Sequence, residues 1–311
     1  MIPVLSLRDF HSSRKNDFVQ KLGKTYEDIG FVAIADHGFP FELSDALYQV
    51  VESFFALPLE VKKQYERKAL FGQRGYTAFG MEHAKDKAEG DLKEFWQFGP
   101  ELTPNELEEL QYPANIFVHE LPDFHGLGIK TYSELLRIGR DVLKAIALYL
   151  GLEEDYFEEF VLQGNSILRP IHYPPIHGDV GGAVRSAAHE DINLITLLMG
   201  ASASGLQVKD RNDHWVDVAT EKDQLVVNVG DMLQRLTNNK LRSTTHRVIN
   251  TEEALSGASR FSIPFFLHPI SSMPLNCLKE CIAPNENPAY EPITAGQYLD
   301  ERLIEIGLKP A

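Results

Sequence analysis

The chain has 311 residues, enough for one large domain or two ordinary ones with a substantial core. Hydrophobic residues make up 43% of it and charged residues 24%, proportions that exclude a disordered chain. The formal net charge of −15 argues against a nucleic-acid-binding protein, because binding to phosphates requires a clustered positive surface.

The two cysteines, Cys277 and Cys281, are too few for a disulfide framework. No second cysteine or histidine pair lies near them, so we expect free thiols in a reducing compartment rather than a zinc site. There is no run of 18 apolar residues to span a membrane. The first nine residues lack the basic and apolar regions of a secretory signal, and together these features predict a cytoplasmic protein.

The N-terminal part alternates between strand and helix patterns. In chain order we predict a strand over 2–5, a helix over 18–30, a strand over 30–35 and a helix over 41–57. Residues 60–120 are charged, rich in glycine and weakly periodic, which predicts loops and short helices. Apolar residues then recur at helical spacing and predict a helix that stops at Gly151: Leu135, Ile138, Val142, Ile146 and Leu150.

From Asn165 onward the chain consists of short β-prone segments separated by turns. The predicted strands are 166–168, 191–199, 205–209, 214–218, 224–229, 244–249 and 260–267. Asp210 to Asp213 predicts a hairpin turn between two of them. Many short strands favour a β-sandwich or barrel, of which the jelly roll is one form. Residues 294–308 have a helical pattern.

The most informative feature is the triplet His189-Glu190-Asp191, with His246 further along the chain. A histidine and a carboxylate at positions i and i+2 of a strand project from the same face. An imidazole from a later strand would complete a set of two histidines and one carboxylate. That ligand set leaves open positions and suits non-heme Fe(II), which binds a co-substrate and dioxygen together.

A second pair, Arg260 and Ser262, also shares one strand face, while Phe261 points the other way. A guanidinium beside a hydroxyl binds a carboxylate through bidentate and hydroxyl hydrogen bonds. The alternative is an exposed arginine paired with a surface acid. Because this pair follows His246 closely, we expect it on the next strand inside the same barrel.

Several further segments follow one another in an order typical of one family. Residues 30–38 resemble the motif "GFF-NHG" of that family, and residues 74–76 and 91–95 resemble the segment that follows it. Residues 168–175 resemble "LR-NYYPP" and residues 189–191 resemble "HTD". Residues 228–234 together with 243–248 resemble "N-GDMLQ…ST-HRV". Together with the "R-x-S" of Arg260 and Ser262, the chain resembles the iron/ascorbate-dependent oxidoreductase family. This is the isopenicillin N synthase-like branch of the Fe(II)/2-oxoglutarate dioxygenases, and the likeness runs from Ile2 to about Leu303.

The resemblance implies roles for six residues. His189, Asp191 and His246 would bind iron, and Arg260 with Ser262 would hold the distal carboxylate of 2-oxoglutarate. Tyr173 matches a tyrosine that often hydrogen-bonds this co-substrate. The chain departs from the plant pattern at Ile171, where those members have asparagine.

The implied fold is mainly β with flanking helices: a double-stranded β-helix (jelly roll) core, a helical N-terminal region and a C-terminal helix. We expect an N-terminal dioxygenase region over 1–120, linking helices over 121–164, the oxygenase core over 165–270 and a C-terminal segment with a helix over 271–311. The substrate pocket would be walled by the loop 176–188, the strand region 205–218 and the C-terminal helix. His177, Gly178, Gly181 and Gly182 predict a mobile lid, although glycines there also fit a simple turn.

The predicted function is an Fe(II)- and 2-oxoglutarate-dependent dioxygenase that hydroxylates or desaturates a small molecule and releases succinate and carbon dioxide. Dioxygen is the second co-substrate, and ascorbate is an optional reductant. One alternative is an oxidase of the isopenicillin N synthase or aminocyclopropane-carboxylate oxidase kind, which does not use 2-oxoglutarate. The other is a catalytically silent binding module, which predicts no tight iron binding. We expect no nucleic-acid or membrane partner.

Overall fold

The computed structural model describes residues 2–82, 91–175, 184–200, 205–219, 221–251, 257–306 and 308–310. The strands are β1 Val4–Ser6, β2 Phe31–Ala35, β3 Gly75–Thr77, β4 Glu94–Gln97, β5 Ile167–Leu168, β6 Ile171–Tyr173, β7 Ser186–His189, β8 Ile195–Leu198, β9 Leu206–Lys209, β10 Trp215–Asp217, β11 Leu225–Val229, β12 His246–Val248, β13 Arg260–Ser262 and β14 Pro264–Leu267. The helices are α1 Leu7–Phe10, α2 Lys15–Asp28, α3 Phe41–Phe55, α4 Leu59–Lys63, α5 Pro104–Leu110, α6 Pro122–Leu150, α7 Glu158–Val161, α8 Asp231–Leu236 and α9 Ala295–Glu305. The glycines and histidine of the predicted lid lie outside the described residues.

The strands form three sheets. A six-stranded sheet has the order β1-β2-β11-β8-β14-β5, and two four-stranded sheets have the orders β10-β9-β12-β7 and β13-β6-β4-β3. β1 and β2 run parallel, whereas the other neighbours pair antiparallel. The fold therefore consists of sheets with several helices around them, as predicted at this level of detail.

Strands from the N-terminal region complete two of these sheets. β2 pairs with β11 in the six-stranded sheet, and β4 pairs with β6 in the third. The prediction of only loops and short helices over 60–120 was wrong, because β3 and β4 lie there. All four residues of β4 are buried, including Glu94, whose charge is paired inside with Lys62. A charged residue that is paired in the interior looks like a surface residue in the sequence.

The long helix α6 supports the six-stranded sheet from one side. It begins at Pro122, well before the predicted Leu135, and ends at Gly151, whose φ of 80° gives the left-handed cap that glycine adopts readily. Its buried face packs on β5, β8 and β14 and on the helices α2 and α3. The early turns of α6 carry fewer large aliphatic residues, which is why the apolar repeat predicted only the later part.

An aromatic cluster joins the helical layer to the third sheet. Phe54 of α3 stacks on Phe124 of α6 with ring centroids 5.1 Å apart, and Trp96 of β4 meets both rings edge-on at 5.0 and 5.2 Å. All three side chains are at most 1% exposed. Burial of each ring stabilises the fold by roughly 2–3 kcal/mol, so the cluster fixes β4 against the helices.

In the C-terminal part the predicted strands are found with shorter or shifted boundaries. The predicted strand 191–199 is β8, Ile195–Leu198, and β7 ends at His189, so Asp191 lies in the connection between two strands rather than on one. The predicted strand 260–267 is divided into β13 and β14. The predicted hairpin turn over 210–213 joins the antiparallel strands β9 and β10.

Two smaller features bear on the remaining expectations from the sequence. Cys277 and Cys281 both carry free thiols, as expected. Among the described residues, no helix combines the length and apolar composition needed to cross a membrane.

Candidate metal and co-substrate site

β6 and β13 of the third sheet, with β5 and β14 of the six-stranded sheet, turn alternate side chains into one cavity of about 510 Å³. Strand side chains alternate between faces, so every second residue of a strand shares a wall. Along β5 and β6 the lining residues are 167, 169, 171 and 173, and along β13 and β14 they are 260, 262, 264, 266 and 268. The cavity is thus the interior space between the sheets.

Three possible metal ligands meet at this cavity. β7 and β12 pair so that His189 lies directly opposite His246, with ring centroids 4.4 Å apart. Oδ1 of Asp191 lies 3.8 Å from Nε2 of His189 and 3.6 Å from Nε2 of His246. One ligand atom from each residue falls within 4.8 Å of the others, the one such cluster of three or more found among the described residues.

Hydrogen bonds orient each member of this group. Nδ1 of His189 lies 2.7 Å from the carbonyl oxygen of Ala187, and Nδ1 of His246 lies 3.1 Å from that of Thr244. A carbonyl only accepts, so both Nδ1 atoms carry the proton and both Nε2 atoms present a lone pair. This is the tautomer that a metal requires, and the donor set of two imidazoles and a carboxylate fits Fe(II).

Asp191 is held by its other oxygen. Oδ2 accepts hydrogen bonds from the hydroxyl of Thr196 at 2.6 Å and from the amide of Asn228 at 2.8 Å, which leaves Oδ1 facing the imidazoles. Burial opposes ionisation of Asp191, but the adjacent imidazoles of His246 and His189 and these two hydrogen bonds hold its pKa below the usual value. Burial lowers the pKa of His189 to about 4, which favours the neutral ring.

The predicted co-substrate residues lie together on the opposite wall. β13 pairs with β6 so that Arg260 is opposite Tyr173 and Ser262 is opposite Ile171. Arg260 is 1% exposed and Ser262 4%, and the guanidinium carbon lies 5.0 Å from the centre of the Tyr173 ring. All four side chains line the cavity, so the alternative of an exposed Arg260 paired with a surface acid is wrong.

A buried cluster of charges also lines the cavity, and it was not predicted from the sequence. Nζ of Lys93 lies 2.6 Å from Glu82 and 2.9 Å from Asp91, and Nη1 of Arg169 lies 3.1 Å from Glu82. Burial opposes ionisation of Glu82, yet Lys93 and Arg169 lower its pKa to about 2. The signal available in the sequence was Arg169 in the "LR" motif and Lys93 in residues 91–95.

The C-terminal helix α9 contributes one wall of the cavity. Tyr298, Arg302 and Leu303 of α9 line it, as do Leu206 of β9 and, from the predicted segment 176–188, Ser186 and Ala188. Described residues of all three predicted walls therefore line the cavity. The hydroxyl of Tyr298 donates to Asp231 at 2.9 Å. Burial raises the pKa of Asp231, at the start of α8, to about 8 despite this hydrogen bond, which favours the neutral carboxyl group.

Comparison with known families assigns most of the chain. Residues 2–120 match the N-terminal region of the non-haem dioxygenases in morphine synthesis, and residues 164–269 match the 2OG-Fe(II) oxygenase superfamily. Proline hydroxylase buaE of Petromyces alliaceus is 34% identical over 307 residues, and the alignment covers 94% of this chain and 94% of the relative. The 2-oxoglutarate-Fe(II) type oxidoreductase hxnY of Emericella nidulans is 31% identical, with 94% of this chain and 86% of the relative covered.

Solved structures give the same result. A 2OG-Fe(II) oxygenase family protein from Caulobacter crescentus superposes with a TM-score of 0.88 at 42% identity, covering 98% of this chain and 99% of that one. A full-length Neurospora crassa protein in complex with alpha-KG (2-oxoglutarate) superposes with a TM-score of 0.87 at 29% identity, covering 97% and 95%.

The chain therefore belongs to the 2-oxoglutarate- and Fe(II)-dependent oxygenase family. It is an oxidoreductase that depends on Fe(II) and 2-oxoglutarate, and the predicted dioxygenase function is confirmed. The relatives favour this function over the two alternatives, an oxidase that does not use 2-oxoglutarate and a silent binding module.

Proposed function

We propose that His189, Asp191 and His246 hold Fe(II) and that Arg260, Ser262 and Tyr173 hold 2-oxoglutarate. The convergence of two Nε2 lone pairs and one carboxylate oxygen on the cavity carries the first assignment. The second is supported by a buried guanidinium and a hydroxyl on one strand face, with a tyrosine opposite, in the same cavity. Arginine in such a position neutralises the distal carboxylate of a dicarboxylic acid.

The proposed fold is a double-stranded β-helix with the predicted division of the chain: an N-terminal region over 1–120, linking helices over 121–164, the core over 165–270 and a C-terminal segment over 271–311. The matched ranges 2–120 and 164–269 support these boundaries, and the opposed antiparallel sheets around one cavity support the jelly roll. The isopenicillin N synthase-like branch and the cytoplasmic location stay predictions from the sequence.

Bound iron and 2-oxoglutarate supply the oxidising chemistry, in which dioxygen is consumed, succinate and carbon dioxide are released and a substrate C–H bond is hydroxylated or desaturated. The chain orients the two imidazoles through Ala187 and Thr244 and the Asp191 carboxylate through Thr196 and Asn228. Arg260 orients the co-substrate from the far wall. The protein's contribution is thus positioning and the exclusion of water from the interior cavity.

The primary substrate is a small molecule. The cavity of about 510 Å³ lies within the usual range for small-molecule sites. Two relatives support the same size class: one is named a proline hydroxylase, and a Neurospora crassa protein was crystallised with alpha-KG and thymine.

Anaerobic titration of the Fe(II)-loaded protein with 2-oxoglutarate tests this assignment. We expect a weak, saturable metal-to-ligand charge-transfer band in the visible range. In the His189→Ala protein the band should be absent, and in Arg260→Ala it should need far more 2-oxoglutarate. Arg247→Ala, on the strand β12 but stacked on Trp215 outside the site, is the matched control and should behave as wild type. A wild-type protein that binds iron without the band would contradict the proposal.

A further inference from the structure

Besides Asp231, Arg235 and Arg302 on the helices α8 and α9, two residues on the sheet side of the cavity have a buried polar atom without a hydrogen-bond partner among the residues that the structure describes. These two atoms are Oε1 of Gln97, an acceptor, and Nε of Arg169, a donor. Gln97 is 1% exposed, and both residues line the cavity. A buried polar atom without a partner costs roughly 1–3 kcal/mol, so such atoms call for a specific explanation.

The register of the strands brings these two residues together. Phe98 exchanges two backbone hydrogen bonds with Leu168, and the amide of Trp96 donates to the carbonyl of Pro170. Gln97 and Arg169 lie between these contacts, directly opposite each other in a non-hydrogen-bonded pair. Residues in such antiparallel pairs have Cα atoms about 4.5 Å apart and the closest side chains.

The charges around the pair cancel. Arg169 is paired with Glu82, and Lys93 is paired with Glu82 and Asp91, so two cations face two carboxylates. Burial, reinforced by the positive charge of Arg169, also lowers the pKa of His268 to about 3, which leaves that neighbouring imidazole neutral. This end of the cavity therefore has no surplus charge with which to bind an ion.

The pair also lies further along the cavity wall than Arg260. Arg260, Ser262 and Pro264 are alternate residues along β13 and β14. Arg169 lies opposite Pro264, and its backbone amide donates to the carbonyl of Pro264 at 2.9 Å. Glu82, the partner of Arg169, interacts electrostatically with His189. Pro264 follows Ser262 by two residues and Arg260 by four, so the pair lies further along this wall than the proposed anchor of 2-oxoglutarate, in the cavity that the three proposed iron ligands also line.

We propose that Gln97 and Arg169 form a recognition subsite for the primary substrate, and that this substrate is a neutral molecule with a cis-amide edge, as in a lactam, an imide or a pyrimidinone. The amide N–H donates to Oε1 of Gln97, and the adjacent carbonyl accepts from Nε of Arg169. The inference rests on the proposed function, because it takes the cavity beside the three proposed ligands as the substrate site.

Calorimetric titration of the full chain, loaded with Mn(II) and 2-oxoglutarate, tests the subsite with four probes: thymine, δ-valerolactam, N-methyl-δ-valerolactam and benzoate. At least one of the first two should bind, and the N-methyl lactam and benzoate should bind at least about tenfold more weakly, the effect of one lost hydrogen bond to a buried group. Binding of neither thymine nor δ-valerolactam would overturn the proposal, as would equal binding of the two lactams.

Two variants repeat the test from the protein side. Gln97→Leu removes the acceptor, and Arg169→Lys keeps the charge but removes Nε. Each variant should bind the probe that the wild-type protein binds, thymine or δ-valerolactam, at least about tenfold more weakly. Thr131→Val, which removes a buried hydroxyl without a described partner on α6, outside the residues that line the cavity, should leave probe binding unchanged. Wild-type affinity in Gln97→Leu would overturn the proposal.

Thermal unfolding separates recognition from a structural role. Replacement of a residue that stabilises the fold lowers the Tm of the protein. Gln97→Leu removes a buried group without a described partner and should therefore leave the Tm unchanged or raise it. A lower Tm together with unchanged probe binding would assign Gln97 to the core instead.

The charge-transfer titration of the same protein, loaded with Fe(II) under anaerobic conditions, distinguishes the two proposals. If the band forms and no cis-amide probe binds, the co-substrate site stands and the subsite fails. If the band is absent while a probe binds in a manner that depends on Gln97, the subsite stands and the proposed function fails. Loss of both signals overturns both.

Discussion

Replacement of Thr196 by valine should weaken metal binding without a change of any proposed ligand. The Thr196 hydroxyl donates to Oδ2 of Asp191 at 2.6 Å and accepts from the amide of Asn193 at 2.8 Å. Valine has nearly the same shape but lacks the hydroxyl. Asn228 alone would then hold Oδ2, and Oδ1 would be less well aimed at the two imidazoles.

The expected size of this effect follows from those contacts. Loss of a hydrogen-bond partner behind a metal ligand typically lowers metal affinity 10–100-fold, which is about 1.4–2.7 kcal/mol. Stability should fall separately, because Asn193 would keep a buried N–H group without its acceptor, at a cost of about 1–3 kcal/mol.

Competition against a chelator under anaerobic conditions measures the Fe(II) affinity, and urea unfolding of the metal-free protein measures the stability. Thr237→Val is the matched control, because Thr237 is also fully buried and donates to the carbonyl of Leu233 at 2.9 Å, away from the cavity. It should lose stability but keep its metal affinity. Equal metal affinity in Thr196→Val and wild type, or an equal loss in both variants, would refute the reasoning.

Three further predictions concern the co-substrate, pH and the backbone. Arg260→Lys keeps the charge but loses the bidentate geometry, so half-saturation with 2-oxoglutarate should need roughly 30-fold more, about 2 kcal/mol, in the charge-transfer titration; an unchanged requirement would argue against a contact. Burial lowers the pKa of His268 to about 3 in the folded protein, so as the pH falls the unfolded chain binds a proton at this histidine first. The free energy of unfolding is therefore unaffected by His268 above pH 6.5 and falls by up to about 1.4 kcal/mol per pH unit from there toward pH 3. Urea unfolding at pH 7 and 5 should show a smaller difference for His268→Phe than for wild type, and equal differences would contradict the shift. Gly30→Ala should lose about 2 kcal/mol or more in the same assay, because Gly30 has a φ of 71° and a Cβ there would lie 2.2 Å from the carbonyl oxygen of Arg242; wild-type stability would exclude this backbone conformation.

Local patterns were sufficient for the elements that pack in a simple way. The strand 30–35 and the helix 41–57 appear as β2 and α3 within two residues at each end, because their apolar periods match the face that they bury. The segment 91–97 has no such period. Lys93 and Glu94 are charged yet buried, since Asp91 and Glu82 neutralise Lys93, and Lys62 of an earlier helix neutralises Glu94.

The sequence by itself determined the kinds of chemical group at the site. The donor types of His189, Asp191 and His246 and the pairing of Arg260 with Ser262 are properties of residue identity and spacing. They indicate iron and a carboxylate, and the family resemblance of the sequence identifies that carboxylate with 2-oxoglutarate. Only the tertiary structure decided how these groups meet. The pairing of His189 with His246 and of Gln97 with Arg169 depends on the register between strands far apart in sequence. That register is set by the packing of many side chains together, and no local segment contains it.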